Sequence, residues 1–299
     1  MTRSLFAKLV VTAALFLFQP HLTFALSPTT QTTLMGADLK SMESQRKYER
    51  ILSIDTKVFP LCELVADALG CHPKDLDQLH NREPEDYFIQ GKIRGSLTGT
   101  RTPLRRVELL RRALTEKWKM SPQKKQWEND YLPKIVRDIV GTNVMDGEKQ
   151  LIYQRSPMLR FHVAWPLEPD EVATYDNTMP PIDGRNPGTL AGLHTDEEYG
   201  HPAGEVNFFL PVTPHTYDTN SLFVEGDAMR GDFKPFELRY GEMMMWNGNS
   251  CRHCSPRNVS NRTRISYDFR VIAGSEWIDP PKKKGYFQLG SYYMDANSV

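Results

Sequence analysis

One constellation in the sequence carries a specific chemistry. His194 and Asp196 stand two residues apart in Gly192-Leu193-His194-Thr195-Asp196. On an extended strand, residues i and i+2 point to the same face, so one imidazole and one carboxylate can reach one ion from a strand end. A third ligand has to come from elsewhere, and His253, in Trp246-Asn247-Gly248-Asn249-Ser250-Cys251-Arg252-His253, has the right form. Two imidazoles and one carboxylate on one face of an ion, with open positions opposite, are the facial donor set that suits Fe(II). Arg264 follows inside an apolar run with Ile265, Tyr267, Phe269 and Val271. A guanidinium pointing inward there requires an anion, because an unpaired buried charge costs several kcal/mol. Ser266 shares its face by the period of two, so a guanidinium fork and a hydroxyl can hold one carboxylate together. The competing reading of Arg264 is an internal ion pair, with Glu225 or Glu205 as partner.

The neighbours of these residues carry weaker signals. Cys251-Arg252-His253-Cys254 invites a zinc reading, but on a strand Cys254 faces away from the other two. Glu198 and His201 follow the His-x-Asp pair and fit a loop closing over the site better than a second set of ligands. Arg160 and Asn207 fall on strands expected to flank the cavity, where they can grip a polar substrate, and Trp246 can form a wall. Asn207 can equally serve to satisfy backbone groups.

A β-rich region must position this set. From Leu151 the apolar runs shorten, β-branched and aromatic residues increase, and Gly and Pro turns recur. About eight short strands at intervals of roughly 8–15 residues predict a sandwich or barrel of jelly-roll type. They include runs around Met158–Ala164, Glu205–Val212, Met243–Trp246 and Thr263–Val271. Ahead of them the pattern is helical. Leu104, Val107, Leu110, Leu114 and Trp118 make one apolar face over Pro103–Lys119. Ser121-Pro122 then reads as an N-cap with proline at the first helical position, and Pro133 predicts a kink or two pieces. A short helix is expected over Val58–Leu69 with Gly70 as its stop, and a surface helix or linker over 38–57.

Composition excludes some partners. The 299 residues hold 37 Lys plus Arg against 37 Asp plus Glu, a balance that argues against nucleic acid or an anionic membrane surface. The first 25 residues, with Arg3 and Lys8 before the apolar run Leu9–Phe18, have the shape of a secretory signal peptide; no membrane attachment is expected after its cleavage. The hydroxyl-rich stretch that follows, up to about residue 37, also fits a bipartite plastid-targeting sequence. Secretion and a plastid both stay open. Two glycosylation sequons, Asn258-Val259-Ser260 and Asn261-Arg262-Thr263, fit the secretory route, and Cys62 with Cys71 is either a short disulfide loop or a pair of thiols.

The order His194-x-Asp196, His253, Arg264-x-Ser266 resembles the Fe(II)/2-oxoglutarate-dependent dioxygenases. The stretches Tyr153–His162 and His194–Pro211 are similar to the branch of that family that includes a streptomycin-biosynthesis hydroxylase. The resemblance spans roughly residues 150–272. It implies a double-stranded β-helix core over 151–275, a helical N-terminal region over 38–150 packed on it, and a C-terminal tail over 276–299. It also implies that His194, Asp196 and His253 bind Fe(II), that Arg264 and Ser266 hold the far carboxylate of 2-oxoglutarate, and that O2 is the oxidant. A small polar metabolite would be hydroxylated with release of succinate and CO2. A cupin-like metal isomerase or hydrolase, or a secreted jelly-roll binding module without catalysis, are the alternatives.

Overall fold

The spine of the molecule is a ten-residue strand, β12 (Arg264–Ala273), buried along nearly its whole length. Its two faces differ. Ile265, Tyr267, Phe269 and Val271 join the main hydrophobic core, while Arg264, Ser266, Asp268 and Arg270 alternate with them on the other face. The computed structural model describes residues 49–88, 102–145, 147–169, 171–172, 188–278 and 287–298. The expected leader lies outside these residues.

Sheets of antiparallel strands dominate, with a few helices on one side. The large sheet contains β1 (Arg50–Ser53), β10 (Glu242–Trp246), β5 (Glu205–Pro211), β12, β2 (Leu151–Gln154) and β13 (Tyr293–Asp295), in that order; β3 (Met158–His162) also pairs with β12. A smaller sheet has the order β4 (Ala191–His194), β11 (His253–Ser255), β7 (Phe223–Val224), β8 (Lys234–Pro235). A two-stranded ribbon pairs β6 (His215–Thr216) with β9 (Leu238–Arg239).

Two expectations change. Within 38–57, read as a surface helix or linker, Arg50–Ser53 adds an edge strand to β10 instead: Leu52 goes into the core while Ile51 and Ser53 face out, a period of two too short to see against its charged flank. Within 276–299, read as a tail, Tyr293–Asp295 pairs with β2, and Tyr293 is wholly buried.

The helices cover the apolar face of β12. Helix α1 (Leu61–Leu69) stops at Gly70, whose φ of 71° is the left-handed conformation that suits glycine. Helix α2 (Pro103–Met120) starts at Thr102, whose hydroxyl accepts from the Arg105 amide, with proline at the first position. Ser121 caps α3 (Pro122–Gln126) in the same way. The chain then stays helical to Gly141, with wide π-type turns at Trp127–Tyr131 and Ile135–Gly141 on either side of Pro133. The expected interruption at Pro133 is thus absorbed inside a continuous helical run: widened turns take up a proline that lacks an N–H. This run delivers Trp127 onto β12, where its ring stacks on Tyr267 with centroids 3.9 Å apart. Among the described residues, no helix is long and apolar enough to cross a membrane.

Candidate metal centre

His194 ends β4, and His253 opens β11 directly opposite it, so strand pairing alone sets the two imidazoles side by side with ring centroids 4.2 Å apart. They therefore come from neighbouring strands of one sheet. Asp196 is not in the strand. The chain turns after His194 into a helical conformation at Asp196 (φ −68°, ψ −28°), and the Asp196 amide donates to the Gly248 carbonyl at 2.9 Å. One ligand atom from each of His194, Asp196 and His253 lies within 4.8 Å of the others. Among the described residues, Cys251 and Cys254 join no such group. Cys251 packs in an apolar cluster with Phe209 and Trp246, and all four cysteines are thiols.

Hydrogen bonds fix which ring nitrogens are free. His194 Nδ1 lies 2.6 Å from the Gly192 carbonyl oxygen, and His253 Nδ1 lies 3.1 Å from that of Cys251. A carbonyl can only accept, so each ring carries a proton on Nδ1, and Nε2 is the nitrogen turned toward the centre. Burial pushes the His253 imidazole down to about 4, against the pull of Asp196, so it is neutral at physiological pH. For Asp196, burial alone favours the protonated acid, but Arg270 and His253 outweigh it and hold the carboxyl far below its usual range.

Asp196 is held by a network the sequence reading missed. The Arg270 fork donates from Nε to Oδ2 at 3.0 Å and from Nη2 to Oδ1 at 2.8 Å. Asn207 Nδ2 adds a third bond to Oδ2 at 2.6 Å, and its own carbonyl accepts from the Gly248 amide at 3.0 Å. Asn207, expected to contact substrate, is thus engaged at both ends. Gly248 has no room for a side chain, since a Cβ there would lie 2.6 Å from Asn207 Nδ2. Behind Arg270 stands Glu205, 3.4 Å from Nε and 2.9 Å from His201 Nδ1, with its pKa raised by burial. His201 is therefore turned to Glu205, and the exposed Glu198 accepts from the Thr195 amide.

The Arg264 side of the cavity is the opposite case. Its side chain is almost fully buried, yet Nε and Nη1 have no hydrogen-bond partner among the described residues, and Nη2 reaches only Ser255 Oγ at 3.3 Å. Burial, and then the nearby cation of Arg160, push its pKa down. The expected alternative partners are taken: Glu225 pairs with Arg252, and Glu205 with His201 and Arg270. Ser266 Oγ, on the same strand face, is buried and unpartnered as well. One cavity joins Arg264, Ser266, His253, His194 and Trp246. The Trp246 ring meets His253 edge-on at 4.6 Å, and its Nε1 is unpartnered too. Arg160, paired with Asp268 at 3.2 Å, stands between this cavity and an outer cleft of about 560 Å³ bordered by Gln154, Tyr199, His201, Phe287 and Tyr292.

No protein-family model matches the sequence. The chain is similar to a streptomycin-biosynthesis protein. StrG of Streptomyces griseus is 25% identical over 169 residues, which span 55% of this chain and 70% of StrG. A solved non-heme monooxygenase, the ThoJ-Ni complex, shares 12% identity over 78% of this chain and 77% of its own, with a TM-score of 0.36; so loose a likeness decides nothing about the fold.

Proposed function

We propose that this protein is an Fe(II)- and 2-oxoglutarate-dependent oxygenase that hydroxylates a small polar metabolite, releasing succinate and CO2, on a double-stranded β-helix core. The observation that carries this reading is Arg264: a buried guanidinium with two orphan nitrogens and an orphan Ser266 hydroxyl beside it, in the same cavity as the two imidazoles that face Asp196. A buried cation without a counter-ion is costly, and the arrangement makes physical sense when an anion completes it. A dicarboxylate with a 2-oxo acid at one end supplies both the anion that Arg264 lacks and a chelating group for a metal. The donor set fits the metal, since two imidazoles turned by their Nδ1 contacts to offer Nε2 and one ionised carboxylate suit Fe(II) and include no thiolate.

In this reading His194, Asp196 and His253 hold the iron, which with 2-oxoglutarate and O2 supplies the oxidising chemistry. Arg264 and Ser266 orient the cosubstrate by its far carboxylate. Trp246 closes one wall and keeps water out. The polar groups of the outer cleft, Gln154, Arg160 and Asp268 among them, support a polar substrate of small size. The similarity to StrG supports a role in metabolite biosynthesis.

Anaerobic addition of Fe(II) and then 2-oxoglutarate to the purified protein tests this. A weak visible metal-to-ligand charge-transfer band is expected, and it should fade in Arg264→Ala at the same concentrations. Iron that binds with no band at any 2-oxoglutarate concentration would overturn the cosubstrate assignment.

A further inference from the structure

We infer that Arg270 is a positioning residue that balances the charge of Asp196 and dictates which of its two oxygens is offered to a metal. The inference rests on the metal-centre reading above and adds a residue to it. Three observations carry it.

First, Asp196 and Arg270 are both deeply buried, and the guanidinium fork covers both carboxylate oxygens at 2.8 and 3.0 Å. Arg270 is the one arginine or lysine in direct contact with the Asp196 carboxylate among the described residues. The pairing matters because a lone buried carboxylate would be strongly unfavourable.

Second, the two oxygens are not equivalent. Oδ2 receives Arg270 Nε and also Asn207 Nδ2 at 2.6 Å, and Asn207 is itself locked by the Gly248 amide. Oδ1 receives only Arg270 Nη2 and lies 3.8 Å from His253 Nε2. The oxygen on the histidine side is therefore the one held by a single bond. Oδ1 therefore keeps a lone pair free beside the Nη2 bond, while Oδ2 is filled by Arg270 Nε and Asn207 Nδ2. A metal held by the imidazoles would meet Asp196 through Oδ1.

Third, Arg270 itself cannot swing away freely. Its Nη1 donates to Gln154 Oε1 at 3.1 Å, Glu205 stands 3.4 Å from Nε, and β12 fixes its backbone opposite Asn207. Its charge stays beside the metal and opposes metal binding by simple repulsion. The centre thus exchanges some affinity for a single, preset mode of carboxylate ligation.

The test uses the full chain, stripped of metal and titrated with Mn(II) as an oxygen-stable probe of the Fe(II) site. Binding is followed by the electron paramagnetic resonance signal of free Mn(II), melting by circular dichroism, and carboxylate ligation by X-ray absorption. In Arg270→Gln, the metal-free protein should melt several degrees below wild type, while the Mn(II)-loaded protein should recover most of the loss. The Mn(II)-induced rise in Tm should therefore exceed that of wild type, and ligation should shift from one Asp196 oxygen toward two. Arg270→Lys, which keeps the charge without the fork, should melt nearer to wild type when empty yet show the same shift in ligation. Equal loss of Tm with and without Mn(II) in both variants, with unchanged ligation, would make Arg270 a merely structural residue and overturn the inference while leaving the centre standing. Wild-type protein that binds no Mn(II) would overturn the centre itself, and this inference with it.

Discussion

Replacing Arg264 by methionine should make the empty protein more stable and the cosubstrate site useless. Methionine is close in length, apolar and flexible enough to fill the space. In the empty protein the substitution removes a buried cation with unpartnered Nε and Nη1 and gives up only the Ser255 hydroxyl contact and the Phe209 ring, 5.2 Å from Cζ. An unsatisfied buried polar group costs about 1–3 kcal/mol, and exchanging buried ionic groups for apolar ones of similar volume commonly gains about 1–4 kcal/mol. The ring contact offsets about 0.5–2 kcal/mol of this. A net gain of about 1–3 kcal/mol remains, which for a chain of this size is a rise in Tm of roughly 2–6 °C. The cosubstrate moves the other way. Two charge-assisted hydrogen bonds lost at about 1.5 kcal/mol or more each weaken 2-oxoglutarate binding ~100-fold or more. Melting of metal-free Arg264→Met and wild type, together with anaerobic 2-oxoglutarate titration of the Fe(II)-loaded proteins, measures both. A variant that melts lower than wild type and binds 2-oxoglutarate as tightly would show that Arg264 serves the fold, and the reasoning from its orphan nitrogens would be wrong.

Other expectations follow from single contacts. His253→Ala and His194→Ala should each abolish 2-oxoglutarate turnover and weaken Mn(II) binding by at least two orders of magnitude; full turnover in either would remove that residue from the centre. Gly248→Ala should displace Asn207 from Asp196, since the new Cβ has no room, and should weaken metal binding with little change in the far-ultraviolet spectrum. Acid should destabilise the protein partly through His162, whose imidazole is held well below its ordinary value of about 6.5 by burial and then by Arg264. Here the unfolded chain takes up a proton below about pH 6.5 that the folded one refuses, so stability falls by up to ~1.4 kcal/mol per pH unit from this group. His162→Gln should flatten the slope of urea stability between pH 6.5 and 5 by about one proton, and an unchanged slope would count against the assignment. Asn258 is buried and donates to the His162 and Arg262 carbonyls, whereas Asn261 is exposed. Expression in a glycosylating host should place a glycan at Asn261 only, and mass spectrometry finding Asn258 occupied in folded protein would contradict the burial.

Much of the site was legible because strands repeat every two residues. The alternation that put Arg264 and Ser266 on one face continues through Asp268 and Arg270, and it could have been read two steps further. It stopped being informative there because an arginine near a strand end gives no sign of its partner; only the fold brings Asp196 beneath it, across 74 residues of sequence. Turn chemistry hid the rest. His194-x-Asp196 looked like two positions of one strand, yet the chain bends at Asp196 because its amide finds the Gly248 carbonyl. That bond, the Gly248 amide on Asn207 and the bar on any side chain at Gly248 all belong to Trp246-Asn247-Gly248-Asn249, a stretch whose composition marked a turn but not what the turn would touch. The helices show the same division. The cap at Ser121 and the stop at Gly70 act within a few residues and were visible. The strands Arg50–Ser53 and Tyr293–Asp295 have too little pattern of their own and exist because β10 and β2 offer them edges. Chemistry was therefore readable where ligands differ in type from their surroundings, and hidden where one ordinary residue matters through another. This is why the orphan at Arg264 could be anticipated, while the pairing of Arg270 with Asp196 had to be seen.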